Sequence, residues 1–323
     1  MASSRTRKLF LVGGALTAAG VAAALAARRR SSFHEGSPWP ELPEGRPTLV
    51  ITADGAELAI SVAGPDDGPT VVLAHCWTGL RTFWAEVAGR LVDEGHRVVV
   101  YDQRGHGAST LGDTEPSIPN LGDDLRLVLE SVDARDATLV GHSMGGMTIQ
   151  SYAIEHPDDF QARISGVVLV ATAAQTLGRA LPPDFVARFL GDGRSEWLRR
   201  GRVGRSMVRG AIGERPQRTH INLTLEGFAT AAGPARAGFL VAMAAMDLRP
   251  AGPVIGTVPT RVLVGTRDTL TPVRVGRLLA AGIPGAELEV IPGAGHMLPL
   301  EAPDRIVDAI RTVAAQPDRV SAS

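Results

Sequence analysis

One cysteine, one lysine and almost no net charge set the first bounds on this 323-residue chain. The lone Cys76 excludes an intramolecular disulfide and leaves the redox compartment unread. A formal net charge of −1 argues against general nucleic-acid binding, which needs a basic domain or stripe. With Lys8 the sole lysine, nearly every base is an arginine, a bias of genome composition and not of function. Metal and cofactor signatures are missing too. The eight histidines form no H-x-x-x-H pair, no acidic cluster stands at ligand spacing, and no G-x-G-x-x-G opens a helix after the first strand. Neither a metal nor a cofactor is therefore expected.

What is present is enough apolar sequence, 44%, for one large α/β domain with an inserted subdomain. Residues 1–30 carry a 19-residue uncharged stretch, Leu9 to Ala27, between Arg5, Arg7, Lys8 and Arg28, Arg29, Arg30. At about 1.5 Å per residue a helix there reaches about 28 Å, just enough to span a bilayer core. A single membrane helix is the expectation, with a cleaved signal peptide and secretion as the alternative, through Ala24-Leu25-Ala26. The balanced flanks leave the side of the membrane open. Residues 31–47, rich in Ser, Pro and Gly, read as a linker without a core of its own. From Thr48, a hairpin around Asp54-Gly55 leads into strands and helices in alternation, which predicts a mostly parallel sheet with helices on both faces across residues 48–173 and 259–316. The alternation lapses over residues 174–258, where helical segments replace strands; residues 317–323 form a tail. Within that excursion, eight arginines between Arg194 and Arg218 read as a solvated face or as a surface for anionic lipid.

The chemistry centres on Val140-Gly141-His142-Ser143-Met144-Gly145-Gly146, between an apolar run and a helix-like segment. A strand, a tight turn and a helix would lift the Ser143 hydroxyl above the sheet, with the positive end of the helix dipole beneath it. A serine needs a base within hydrogen-bond reach and a group to orient that base. Asp268, in Gly265-Thr266-Arg267-Asp268, follows an apolar strand, and His296, in Gly293-Ala294-Gly295-His296, follows the last strand; the order is Ser, Asp, His.

With Ala74-His75-Cys76-Trp77-Thr78-Gly79 and Asp102-Gln103-Arg104-Gly105-His106-Gly107-Ala108-Ser109, these stretches resemble the α/β-hydrolase superfamily, in its capped serine esterase and lipase branch. They are also similar to the cofactor-free haloperoxidase-like perhydrolases. The resemblance implies an α/β-hydrolase fold, a helical cap over residues 174–258, a Ser143–His296–Asp268 triad, and an oxyanion hole from the backbone N–H groups of Met144 and Trp77. It makes His75, Asp102, Arg104, His106 and His142 braces of the loops around the site. Cys76 departs from the pattern, standing where glycine is usual, and is read as a tolerated variation and not a thiol nucleophile. A serine nucleophile disfavours epoxide hydrolysis and dehalogenation, which use a carboxylate there.

The expected function is hydrolysis of carboxylic, lipophilic esters at a membrane, with a small-molecule ester or lipid as substrate and no nucleic-acid partner. Perhydrolysis and C–C bond hydrolysis use the same triad, and a non-catalytic binding protein on the same scaffold is the reading from a different class. The lipophilic chain rests on apolar residues at helical spacing in the excursion, among them Phe185, Phe189 and Leu190, then Phe239, Leu240, Val241, Met243 and Met246.

Overall fold

A computed structural model of the protein describes residues 38–176, 190–191 and 202–315. The segment read as a membrane anchor and most of the linker lie outside them, as do Phe185 and Phe189. Among the described residues no single helix is long and apolar enough to cross a membrane; one pair, Arg218–Thr230 with Gly233–Ala245, passes by composition but is bent by 102°.

Alternating apolar strands build one eight-stranded sheet in the order β1-β2-β4-β3-β5-β6-β7-β8. These are β1 (Arg46–Ile51), β2 (Glu57–Ala63), β3 (Thr70–Ala74), β4 (Arg97–Tyr101), β5 (Ala137–His142), β6 (Ile164–Val170), β7 (Thr260–Gly265) and β8 (Glu287–Ile291). The hairpin β1–β2 and the pair β2–β4 are antiparallel, and all remaining pairs are parallel. Helices follow in chain order: α1 (Ala85–Asp93), α2 (Ile118–Ser131), α3 (Met144–Glu155), α4 (Pro157–Arg163), α5 (Arg202–Ala211), α6 (Arg218–Thr230), α7 (Gly233–Ala245), α8 (Ala251–Ile255), α9 (Val273–Ala281), α10 (Leu298–Glu301) and α11 (Pro303–Ala314).

The period of two along each strand decides which layer a side chain joins. Val72, Ala74, Val99, Tyr101, Leu139 and Leu169 share a core with α2, α3, α8 and α9. Their neighbours Val71, Leu73, Val98, Val100, Val140 and Val170 pack instead with α1 and α11. Both faces are thus covered, which is why the central strands are wholly apolar. Between β6 and β7 the described residues hold helices α5 to α8 and no strand, only an isolated bridge from Gln175 to Asp247. The chain runs from β3 out to β4 on one side and returns to β5 on the other, so the crevice at the C-terminal ends of β3 and β5 is a topological switch point.

The linker reading needs correction at its C-terminal end. Trp39 donates its indole N–H to the Thr82 carbonyl at 2.8 Å and stands edge-on to His220 of α6. Leu42 packs against the α1 and α11 layer, and β1 already begins at Arg46. Pro, Gly and Ser around these two apolar side chains hid their contribution. Trp39→Ala is expected to lower the unfolding free energy by about 2 kcal/mol, and Trp39→Phe by about half of that, since the ring contact survives while a hydrogen bond worth about 1 kcal/mol is lost. Urea denaturation with midpoints equal to wild type for both variants would show that this segment contributes nothing to the fold.

Candidate active site

Close packing produces the turn that presents Ser143. A Cβ on Gly145 would lie 2.1 Å from the Ala74 carbonyl oxygen, and one on Gly141 would lie 2.4 Å from that of Gly145, so neither position admits a side chain. Between them Ser143 adopts φ 52°, ψ −112°, a conformation of order 1–3 kcal/mol above the favoured regions for a residue with a Cβ. Its N–H is held by the Val170 carbonyl at 2.9 Å, and its carbonyl accepts from Thr172 Oγ1 at 2.6 Å and from Gly146 N at 2.9 Å. Helix α3 begins at the next residue, Met144, three positions earlier than the apolar pattern alone suggests.

Asp268 and His296 come from the loops after β7 and β8. The imidazole Nδ1 lies 2.9 Å from Asp268 Oδ2, so Nδ1 carries the proton and Nε2 keeps its lone pair. Burial of Asp268 works against its charge. The His296 ring, the Thr271 hydroxyl at 2.7 Å and the Leu270 and Thr271 amides at 2.8 Å outweigh that and hold the carboxyl below its ordinary range. All three side chains are buried. His142 joins the elbow to the histidine loop, donating from Nε2 to the His296 carbonyl at 2.8 Å. Among the described residues no hydrogen bond joins the Ser143 hydroxyl to the imidazole; such contacts tighten in substrate complexes.

Across the crevice, Trp77 follows β3. Its indole donates to the Arg236 carbonyl of α7 at 3.1 Å and meets Phe228 of α6 edge-on. Neither the Trp77 N–H nor that of Met144, which opens α3, donates to a protein acceptor among the described residues. Cys76 packs with Leu80, Phe83, Ile212 and Met297, and burial pushes its thiol up to about 12, so it stays protonated. Its carbonyl accepts from His75 Nδ1 and from Gly79 N, each at 2.8 Å.

The bracing residues form one buried network. His75 Nε2 accepts from Gln103 N at 2.9 Å, His106 Nε2 from Thr78 N at 3.0 Å, and the Asp102 carboxylate from the amides of Arg81 and Ala108. Arg104 is clasped between Asp124 at 2.6 Å and Asp54 at 2.8 Å. Two contributors went unnoticed in the sequence. Thr271 lies three residues after Asp268, the spacing of a turn closed by a side chain. Glu301 ends the apolar run Met297-Leu298-Pro299-Leu300; its half-buried carboxylate accepts from Gly295 N at 2.9 Å, Met297 N at 3.0 Å and Gly213 N at 2.7 Å, linking the His296 loop to the segment after α5. Burial nevertheless raises the Glu301 pKa.

Among the described residues no group of three or more His, Cys, Asp or Glu side chains is arranged to hold a metal ion. Of the residues expected to form an apolar pocket, Phe239 is fully buried against His106, as packing. Leu240 and Val241, half-buried, pack with Trp77 and Phe228 against Leu190 and Ala237, and Met243 and Met246 pack against the cluster that holds Met144, Met147 and Phe239.

Comparison with known proteins agrees with the fold. The model of the α/β-hydrolase family matches residues 71–309. The chain is 27% identical to the 3-oxoadipate enol-lactonase 2 of Acinetobacter baylyi over 264 residues, 82% of this chain and 95% of that one. It is 29% identical to a non-heme chloroperoxidase of Kitasatospora aureofaciens, over 80% of this chain and 94% of that one. An esterase from Exiguobacterium antarcticum shares the fold with a TM-score of 0.73 at 21% identity, covering 84% of this chain and all of that one.

The neutral histidines generate an acid limit. Burial lowers the pKa of His75 to about 4 and of His106 and His142 to about 3, so unfolding in mild acid takes up protons. Their stabilising contribution is complete above the unfolded value of about 6.5 and is lost as pH falls toward the folded values, by up to about 1.4 kcal/mol per pH unit for each group. Urea unfolding at pH 7.5 and at pH 5 is expected to show a drop of several kcal/mol; a flat profile between them would contradict neutral burial.

Proposed function

The chain belongs to the α/β-hydrolase family, and from that premise we propose that it is a serine hydrolase that cleaves carboxylic esters through an acyl-enzyme on Ser143. The observation that carries this reading is the pairing of a strained serine at the start of α3 with two backbone N–H groups, of Met144 and Trp77, that no protein acceptor takes among the described residues. His296 Nε2 removes the Ser143 proton as Oγ bonds to the ester carbonyl carbon. The oxyanion that forms accepts from Met144 and Trp77, donors of which each is worth about 3 kcal/mol in the transition state. The imidazolium, stabilised by ionised Asp268, returns its proton to the departing alcohol. Water then repeats the sequence and frees the acid and Ser143. Hydrogen peroxide in place of water would give a peracid, the second reading, which the chloroperoxidase relative favours.

The half-buried Leu240, Val241, Met243 and Met246 support a lipophilic acyl chain, since each methylene placed against such a wall gains up to about 0.8 kcal/mol. One kinetic series tests both parts. With p-nitrophenyl esters from acetate to palmitate, kcat/KM should rise several-fold per two carbons before a cutoff, and Ser143→Ala should lower kcat by on the order of 10⁴ or more. Full turnover in Ser143→Ala would end the serine-hydrolase reading; a steep optimum at acetate would move the substrate to small esters and favour perhydrolysis.

We also propose attachment to the cell membrane through Leu9 to Ala27, on the length and lack of charge of that stretch. The full-length protein should sediment with membranes, while a chain beginning at Glu35 should stay in the supernatant and keep its ester turnover. Equal partitioning of the two forms, or a mature N-terminus near Arg28, would contradict the anchor.

A further inference from the structure

A crevice of about 250 Å³ opens at the root of the helical excursion, away from Ser143, Met144 and His296, none of which lines it. Its walls include the two strands of chain that leave and rejoin the sheet, Ala174-Gln175 and Leu248-Arg249. These are stapled by the Leu248 N–H to the Ala174 carbonyl at 2.6 Å and by the bridge from Gln175 to Asp247. The apolar lining is completed by Val275, Leu278 and Leu279 of α9 and by Ile283 just beyond it.

The one buried polar side chain of the lining is Gln150 of α3, only 1% exposed; Gln175 is half-buried and Arg249 exposed. Its Nε2 donates to the Gly146 carbonyl at 3.0 Å and to the Ala173 carbonyl at 3.1 Å. Two carbonyl partners identify that atom as the nitrogen, and they use both of its hydrogens. Oε1 therefore points away from them. No described residue donates to it, and it is not among the side-chain atoms sealed in protein without a partner. A buried amide so anchored leaves a single, oriented acceptor free among the apolar lining residues, the other polar side chains of the crevice being Gln175 and Arg249.

We propose that this crevice binds an aliphatic alcohol, its hydroxyl donating to Gln150 Oε1 and its chain lying along Leu248, Val275, Leu279 and Ile283. The volume is below the roughly 300–1,000 Å³ of sites for drug-sized ligands, which limits the chain to medium length. A carboxylate fits less well in either orientation. Head inward, it meets the amide oxygen with a second acceptor. Head outward, its tail leaves that oxygen dry and unpaired, while Arg249 at the rim is already engaged by both Asp247 oxygens at 2.8 and 2.5 Å.

Titration calorimetry of the full-length chain with 1-octanol tests this directly. Saturable binding to one site is expected, with octanoate and octane each binding at least tenfold more weakly. Gly282 lines the crevice, and a Cβ there meets only the Leu279 and Leu278 carbonyls at 3.4 and 3.5 Å, so Gly282→Leu adds a bulky side chain to the lining without strain. That variant should weaken octanol binding at least tenfold at an unchanged melting temperature; should it fail to fold, Leu278→Trp on the half-exposed rim carries the same expectation. Wild-type affinity in the filled variant would move the ligand to another site and overturn the proposal. So would octanoate binding as tightly as octanol, or no saturable binding up to the solubility limit of octanol.

Discussion

Everything at the head of the sheet depends on how closely helix α3 can approach the end of strand β3. The Gly145 backbone sits against the Ala74 carbonyl with no room for a methyl group. That contact brings the first turn of α3 against the end of β3, next to the loop that carries Trp77, the arrangement on which the proposed pair of N–H donors rests. The strain at Ser143 is a consequence of the same approach, because the chain must reverse within one residue between β5 and α3. Neighbouring carbonyl and hydroxyl bonds, from Val170 and Thr172 of the next strand and its loop, over-determine the turn and allow the strain to persist.

Around this turn the fold buries titratable groups as rigid hydrogen-bonding parts. His75 and His106 each accept a backbone N–H on one ring nitrogen and donate to a carbonyl from the other. That pattern needs the neutral ring in one tautomer, and burial enforces it by disfavouring the cation. His142 lies 5.1 Å from the His296 ring, centroid to centroid, and its depressed pKa keeps a second positive charge away from an imidazole that must itself become charged in the proposed reaction.

The parts of this architecture that the sequence announces are those governed by short-range rules. The short apolar runs Val71 to Ala74 and Val98 to Tyr101, the turn at Asp54-Gly55, and the glycines at 141, 145 and 146 all express local sterics or strand preference, and the observed elements match them within a few residues. The loops bearing Asp268 and His296 were recognisable from motif order, and they meet at the same edge of the sheet. What stayed illegible depends on long-range contacts. Nothing near Trp39 in sequence reveals Thr82 or His220, 43 residues away in the first case, and nothing near Glu301 reveals Gly213, 88 residues away. Helix α4 is illegible for a local reason: Pro157 opens it just after α3 ends, leaving seven residues, too few for an apolar period to register.

Those long-range contacts also bear on what the excursion between β6 and β7 does. A lid that merely covers a pocket could be joined to the core by apolar contact alone. Here it supplies hydrogen-bond partners to the groups on which the proposed chemistry rests. The Ala211 carbonyl accepts from His296 N at 2.7 Å, Gly213 N shares the Glu301 carboxylate with the histidine loop, and the Arg236 carbonyl takes the Trp77 indole. A directional bond at both the His296 loop and the Trp77 loop means that moving these helices changes the positions of His296 and Trp77 together. The excursion is in that sense part of the site's framework: its helices cannot be displaced without also leaving the backbone polar groups they satisfy unpaired.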